Sequence, residues 1–264
     1  MSLINKTIWI TGASSGIGEA LAYELAVKDN ILILSGRDEQ RLKKVKQICK
    51  NEGSQAYVVP FDLSSPKEVE ETARKVLDHY PKIDVLINNG GLGQRSLITE
   101  TSTQIDRQIM EINYFSNVIL TKTVLPSMIE KGGGQIAVTS SIVGKFGFPM
   151  RSSYSASKHA LYGFYETLRM EMRKHNVSVN IICPGRIRTN ISYHAVTKEG
   201  KEHGKMDQGQ ETGMPAGKCA KKIVKGMERN KKEILVGRKE LIMVYLKRFF
   251  PVLFYKVART VKHF

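Results

Sequence analysis

Thr7-Ile8-Trp9-Ile10-Thr11-Gly12-Ala13-Ser14-Ser15-Gly16-Ile17-Gly18 is the stretch on which the fold turns. An apolar run enters a glycine-rich turn, and Glu19-Ala20-Leu21-Ala22-Tyr23-Glu24-Leu25-Ala26 follows, rich in helix formers. Strand, glycine turn and helix start in direct succession form the context in which a glycine motif holds a dinucleotide. Gly12 permits the tight turn, Gly16 lets the backbone approach a pyrophosphate, and Gly18 lets helix pack on strand. Ser14, Ser15 and Ile17 complete the turn, whose free N–H groups at the helix start are placed for phosphate oxygens. The competing reading is a glycine-rich loop without a ligand.

Outward from this motif, strand-like and helix-like runs alternate. After Thr7–Ile10 come Ile31–Leu34, Ala56–Val59, Asp84–Ile87, Gln135–Thr139, Val177–Ile182 and a short Glu233–Val236. The pattern predicts an α/β fold, a Rossmann-like doubly wound parallel sheet of about seven strands with helices on both faces. The strand order should reverse between the first and fourth strands, with the cofactor over the carboxyl ends there. The second run ends in Ser35-Gly36-Arg37. An acid at that end would select NAD through a ribose hydroxyl, whereas Arg37 offers a planar fork for a 2′-phosphate. The reading is NADP, with Asp38 next door and a plain surface arginine as the alternative.

The chemistry-bearing residues lie further on. Tyr154 and Lys158 stand four apart in Tyr-Ser-Ala-Ser-Lys, so on a helix they share a face, and Ser141 precedes Tyr154 by thirteen residues. A phenol with a pKa of ~10 exchanges protons poorly at neutral pH unless a nearby, desolvated cation favours the phenolate. A serine hydroxyl beside it would hold a substrate oxygen while the tyrosine passes a proton. Ser140 is the one-residue alternative to Ser141, and the spacing favours Ser141.

Together these motifs resemble the short-chain dehydrogenase/reductase family over roughly residues 5–237. The family's glycine motif is Thr11 to Gly18, and its Asn-Asn-Ala-Gly motif appears as Asn88-Asn89-Gly90-Gly91, with Gly90 replacing the usual alanine. The resemblance implies Asn113, Ser141, Tyr154 and Lys158 as the active-site set, with Pro184-Gly185 and Thr189 beside the nicotinamide. It also implies Asn89 and Gly90 as cofactor neighbours, and Asp62, followed by Leu63, as the acceptor of the adenine amine. An ordinary loop role for Asp62 and a structural role for Asn113 stay open. Arg37 and the long tail resemble the branch containing 11-beta-hydroxysteroid dehydrogenase. The expected activity is NADP(H)-dependent interconversion of a carbonyl and an alcohol, on an apolar substrate. A 3-ketoacyl-thioester reductase and a non-enzymatic NADP-binding scaffold or sensor are the alternatives. A homodimer or homotetramer is expected from the resemblance.

At 264 residues and 41% apolar, the chain can bury a sizeable core, and no linker or repeat divides it. Residues 1–237 therefore read as one catalytic domain and 238–264 as a basic amphipathic extension. Cys49, Cys183 and Cys219 are odd in number and widely spaced, which fits a reducing compartment. No Cys/His spacing marks a zinc site. The chain enters its first strand too early for a signal peptide, so the expected location is cytoplasmic. Arg186 to Pro215 is polar and has no apolar period, and it reads as a substrate flap or a disordered excursion.

The net charge of +16 is unevenly placed, with fourteen Lys/Arg against three Glu in residues 217–264. No nucleic-acid motif accompanies it, so nucleic acid is not an expected partner. The tail interleaves Tyr245, Phe249, Phe250, Leu253, Tyr255 and Val261 with Lys247, Arg248, Lys256, Arg259 and Lys262, and Pro251 suits the first turn of a second helix. Neither helix can span a bilayer. The tail is expected to lie peripherally on the anionic inner face of a membrane, separably from NADPH binding. The alternative packs the same residues on the domain or across an oligomer interface.

Overall fold

The computed structural model describes residues 2–260. Val261 and Lys262 of the tail pattern lie outside the described residues. One sheet holds seven strands, β1 (Thr7–Thr11), β2 (Ile31–Ser35), β3 (Gln55–Val58), β4 (Val85–Asn88), β5 (Gly134–Thr139), β6 (Val177–Pro184) and β7 (Glu233–Val236). All are parallel, in the spatial order β3-β2-β1-β4-β5-β6-β7. The order reverses between β1 and β4, as the sequence pattern requires.

The helices are α1 (Gly16–Ala26), α2 (Glu39–Asn51), α3 (Pro66–His79), α4 (Thr103–Met110), α5 (Ser116–Glu130), α6 (Ser152–Glu171), α7 (Gln208–Glu211), α8 (Ala216–Glu228), α9 (Ile242–Phe249) and α10 (Pro251–Thr260). Successive strand residues point to opposite faces, so Ile8 and Ile10 of β1 join α1, α2 and α8, while Trp9 joins α3, α5 and α6. The Trp9 indole N–H, buried in this layer, donates to Ser35 Oγ at 2.9 Å. Caps fix two of the helix starts. Ser65 precedes Pro66 and accepts from Glu68 N–H, and Asp38 accepts from Arg41 N–H at 2.9 Å.

The segment from Arg186 to Pro215 is a folded flap. Ile187–Arg188 pairs with Met214–Pro215, and Val196–Thr197 pairs with Gln94–Arg95 from the loop after β4. Ser192, Ala195, Val196 and Met214 are buried within it, so a few apolar anchors hold a stretch that lacks any long element.

The tail forms two short helices broken at Phe250–Pro251. Val244 and Phe254 are buried against Val143, Phe146 and Tyr154, and the Phe254 ring lies 5.2 Å from that of Phe146. Glu240, just before α9, accepts from Arg186 N–H at 2.9 Å and fills the space beside Gly185. The inner face of the tail is thus part of the domain. Its outer face, with Tyr245, Phe249, Phe250, Val252, Leu253 and Tyr255, remains exposed.

Candidate active site

A cavity of about 630 Å³ opens at the carboxyl ends of β1, β4 and β5, within the usual size range of small-molecule sites. One end is the glycine turn. Gly12 and Gly16 take φ of +65° and +60°, and a Cβ at Gly12 would stand 2.8 Å from the Gly90 backbone. A Cβ at Gly18 would meet the Gly12 carbonyl at 2.1 Å, so helix and strand touch there. Ser15, which precedes α1, makes no side-chain cap, so that helix start is open to a ligand. Ser14, Ser15, Ile17, Arg37, Asp62, Leu63, Asn89, Gly90, Pro184, Gly185 and Thr189 all line the same cavity; Gly18 does not. The cradle and uncapped helix start fit a dinucleotide.

Thr189 packs its methyl against Gly16, which joins the turn to the flap. An alanine Cβ at Gly90 would lie 2.4 Å from Leu63 Cδ1, so Leu63 occupies the room that a methyl would take. Asp62 Oδ1 accepts from Ser64 N–H at 2.9 Å, which combines a loop-forming role with its position on the cavity wall.

At the other end stand Ser141, Tyr154 and Lys158. Ser141 begins a short 3-10 turn after β5, and its Oγ accepts from Val143 N–H. Ser140 donates its hydroxyl to the Lys158 carbonyl at 2.9 Å, which leaves Ser141 as the serine near the phenol. Burial pushes the Tyr154 phenol up, while Arg151, the hydrogen bond from Ser141 and Arg95 pull it down. The Lys158 ammonium donates to the Thr139 carbonyl at 2.8 Å and lies 5.7 Å from the Tyr154 ring centroid. Burial lowers its pKa to about 8.

Asn113 stands behind the cavity wall. It lies in a π-turn, Glu111–Phe115, between α4 and α5. Its Oδ1 accepts from Leu92 N–H at 2.7 Å, and its Nδ2 donates to the Leu92 carbonyl and to Ser157 Oγ. Asn113 thereby fixes the loop after β4 to the helix that carries Tyr154.

Four functional-site residues escaped the sequence reading. Gln94, fully buried, accepts with Oε1 from Ser153 N–H at 2.9 Å and Tyr154 N–H at 3.1 Å, capping α6 from a distance. Arg95 and Arg151 both pair with Asp207 of the flap. No local motif announces contacts between residues more than fifty positions apart. The four-residue spacing that makes Tyr154 and Lys158 legible has no counterpart here.

Fold, glycine cradle and the Ser-Tyr-Lys wall define a nicotinamide-dependent oxidoreductase class. The chain belongs to the short-chain dehydrogenase family, whose model matches residues 6–200. It is 39% identical over 255 residues to dehydrogenase/reductase SDR family member 7B of Xenopus laevis, covering 94% of this chain and 79% of that one. Human dehydrogenase/reductase SDR family member 7 is 37% identical, covering 94% and 75%. Among solved structures, a Burkholderia phymatum short-chain dehydrogenase/reductase in complex with NAD superposes with a TM-score of 0.85 at 24% identity, covering 96% of each chain. An alcohol dehydrogenase from Thermococcus sibiricus complexed with 5-hydroxy-NADP gives 0.76 at 27% identity, covering 89% and 97%.

Proposed function

We propose that this chain is an NADP(H)-dependent oxidoreductase that interconverts a carbonyl and an alcohol, with Tyr154 as general acid and base, on an apolar substrate. The observation that carries the reading is that Ser141, Tyr154 and Lys158 share one cavity with the glycine turn. Bound nicotinamide supplies the hydride. The chain's own residues hold and protonate the oxygen. Ser141 donates to the carbonyl oxygen, and Tyr154 O–H transfers its proton to that oxygen. Lys158, Thr189, Pro184 and Gly185 would hold the nicotinamide end. Asn113 sets the position of Leu92 and of the helix behind the phenol. Phe146, Met243, Phe254 and Ala258 give the substrate end of the cavity an apolar wall, which supports an apolar substrate. NADPH oxidation screened against sterols, retinoids, long-chain ketones and small diketones tests the reading. No oxidation with any of them, with NADPH bound, would count against it.

The choice of NADP rests on this chain's own residues, since the solved neighbours carry both cofactor types. Arg37 is exposed and lines the cavity, whereas the Asp38 carboxylate caps α2 and pairs with Arg41 at 3.1 Å. Arg37→Leu is expected to raise the NADPH Michaelis constant about ten- to a hundredfold, the scale of a lost charge-assisted hydrogen bond of roughly 1.5–3 kcal/mol, and to leave that for NADH nearly unchanged. Steady-state kinetics with both cofactors decide it. An equal effect on both assigns Arg37 to structure alone.

The exposed outer face of the tail, basic and aromatic, supports peripheral contact with an anionic membrane. Among the described residues no helix is long and apolar enough to cross a membrane. Vesicles containing phosphatidylserine are expected to co-sediment the protein at low salt and to release it as salt screens the lysines and arginines. Equal sedimentation with neutral vesicles removes the electrostatic part of this reading.

A further inference from the structure

Arg151 is the N-cap residue of α6, one turn before Tyr154, and its guanidinium carbon lies 6.0 Å from the Tyr154 ring centroid. The preceding Met150 takes a φ of +61°, an uncommon backbone state for a side-chain-bearing residue, where the chain turns into the helix. Arg95 approaches from the loop after β4. Both guanidiniums meet a single carboxylate, Asp207, through Arg151 to Oδ2 at 3.0 Å and Arg95 Nε to Oδ1 at 3.1 Å. Their side chains are only 18% and 11% exposed. Two cations and one anion leave a surplus positive charge beside a buried phenol, where screening by water is weak.

The geometry points to Arg151 and Arg95 as further cations that, beside Lys158, set the acidity of the Tyr154 phenol, and to Asp207, carried by the flap, as the carboxylate that limits their effect. The inference rests on the reading of Tyr154 as the proton donor. Lys158 stands at a similar distance, but its ammonium is aimed at the Thr139 carbonyl. Burial brings Lys158 down to about 8. Burial lowers both guanidiniums as well, Arg95 to about 9, and the pull of both on Tyr154 is downward against burial. Among the described residues, other charged or titratable groups around the cluster include Arg186, His194 and His203 of the flap, Glu240 of the tail and Cys183 of β6. Glu240 is engaged with the backbone of Arg186, and Cys183 with Tyr162 and Glu233. Burial and the arginines lower His203, so it adds little charge near neutrality. Asp106 accepts from Ser153 Oγ on the first turn of α6.

Because Asp207 belongs to the flap, a change in flap position would change the acid strength of Tyr154. The test needs no substrate. NMR of the cofactor-free full chain, with tyrosines labelled at the ζ carbon, follows each phenol through its titration, and Tyr154→Phe identifies the resonance. Asp207→Asn removes the neutralising charge and is expected to lower the Tyr154 midpoint by about one unit, the scale of a charge several ångströms away in a weakly screened site. Arg151→Gln is expected to raise it, and Arg151→Lys to return it towards the wild-type value. An unmoved midpoint in Asp207→Asn, or movement of both variants in the same direction, overturns the proposal. Should Arg151→Gln fail to fold, the downward shift in Asp207→Asn decides alone. Catalytic failure of Tyr154 itself would appear only in turnover, so the two readings fail separately.

Discussion

Tyr154→Phe is expected to bind NADPH as the wild-type chain does and to lose carbonyl turnover by about 10²–10⁴-fold, the range for a positioned general acid. The ring is nearly fully buried against Val143, Phe146, Val244 and Phe254, and phenylalanine keeps all of that apolar contact. Only the O–H is lost, with its interaction with Ser141. The fold should not suffer, because burial already disfavours a polar oxygen at this depth. Cofactor fluorescence gives the binding constant, and a stopped assay with an active carbonyl from the screen gives turnover. Near-normal turnover would remove Tyr154 from the chemistry. A parallel loss of NADPH affinity would show that the hydroxyl acts on the cofactor instead.

The sequence reading and the structure agree where local physics decides. Alternating burial in Ile8, Trp9 and Ile10 follows from strand pleating, and the glycines at 12, 16 and 18 are each demanded by a close approach that a Cβ would block. Strand ends moved by one or two residues, as at Val85–Asn88 against the expected Asp84–Ile87. Asn113 was legible as a residue but not as a π-turn, since one extra residue in a helix leaves no pattern of its own. Gln94 and Asp207 gain their roles only when the loop after β4, the flap and α6 converge. Leu63 fills the space beside Gly90, a fit between two loops that no single motif encodes.

The tail shows the same limit and yields the second large effect. Its apolar residues all look alike in sequence, yet Val244 and Phe254 are buried while Tyr245, Phe249, Phe250 and Leu253 stay exposed. The surface proposed for membrane contact and the residues packed on the domain therefore lie on different faces of the tail. Cutting the chain after Gly237 removes two buried side chains worth roughly 1.5–3 kcal/mol each, about 3–6 kcal/mol as an upper figure. A fall in Tm of about 10 °C is expected for a chain of this size. Loss of Glu240 also frees Arg186 N–H beside Pro184-Gly185, so NADPH should bind more weakly, and the separability expected from sequence should fail. Replacing Tyr245, Phe249, Phe250 and Leu253 together by serine touches only the outer face. That variant is expected to keep its Tm within about 2 °C, as surface substitutions do, and to lose vesicle binding. Calorimetry, cofactor titration and sedimentation on the two proteins separate the faces. If truncation leaves Tm and NADPH affinity unchanged, the inner contacts carry no stability. If the serine variant still binds vesicles, lipid contact lies elsewhere on the molecule.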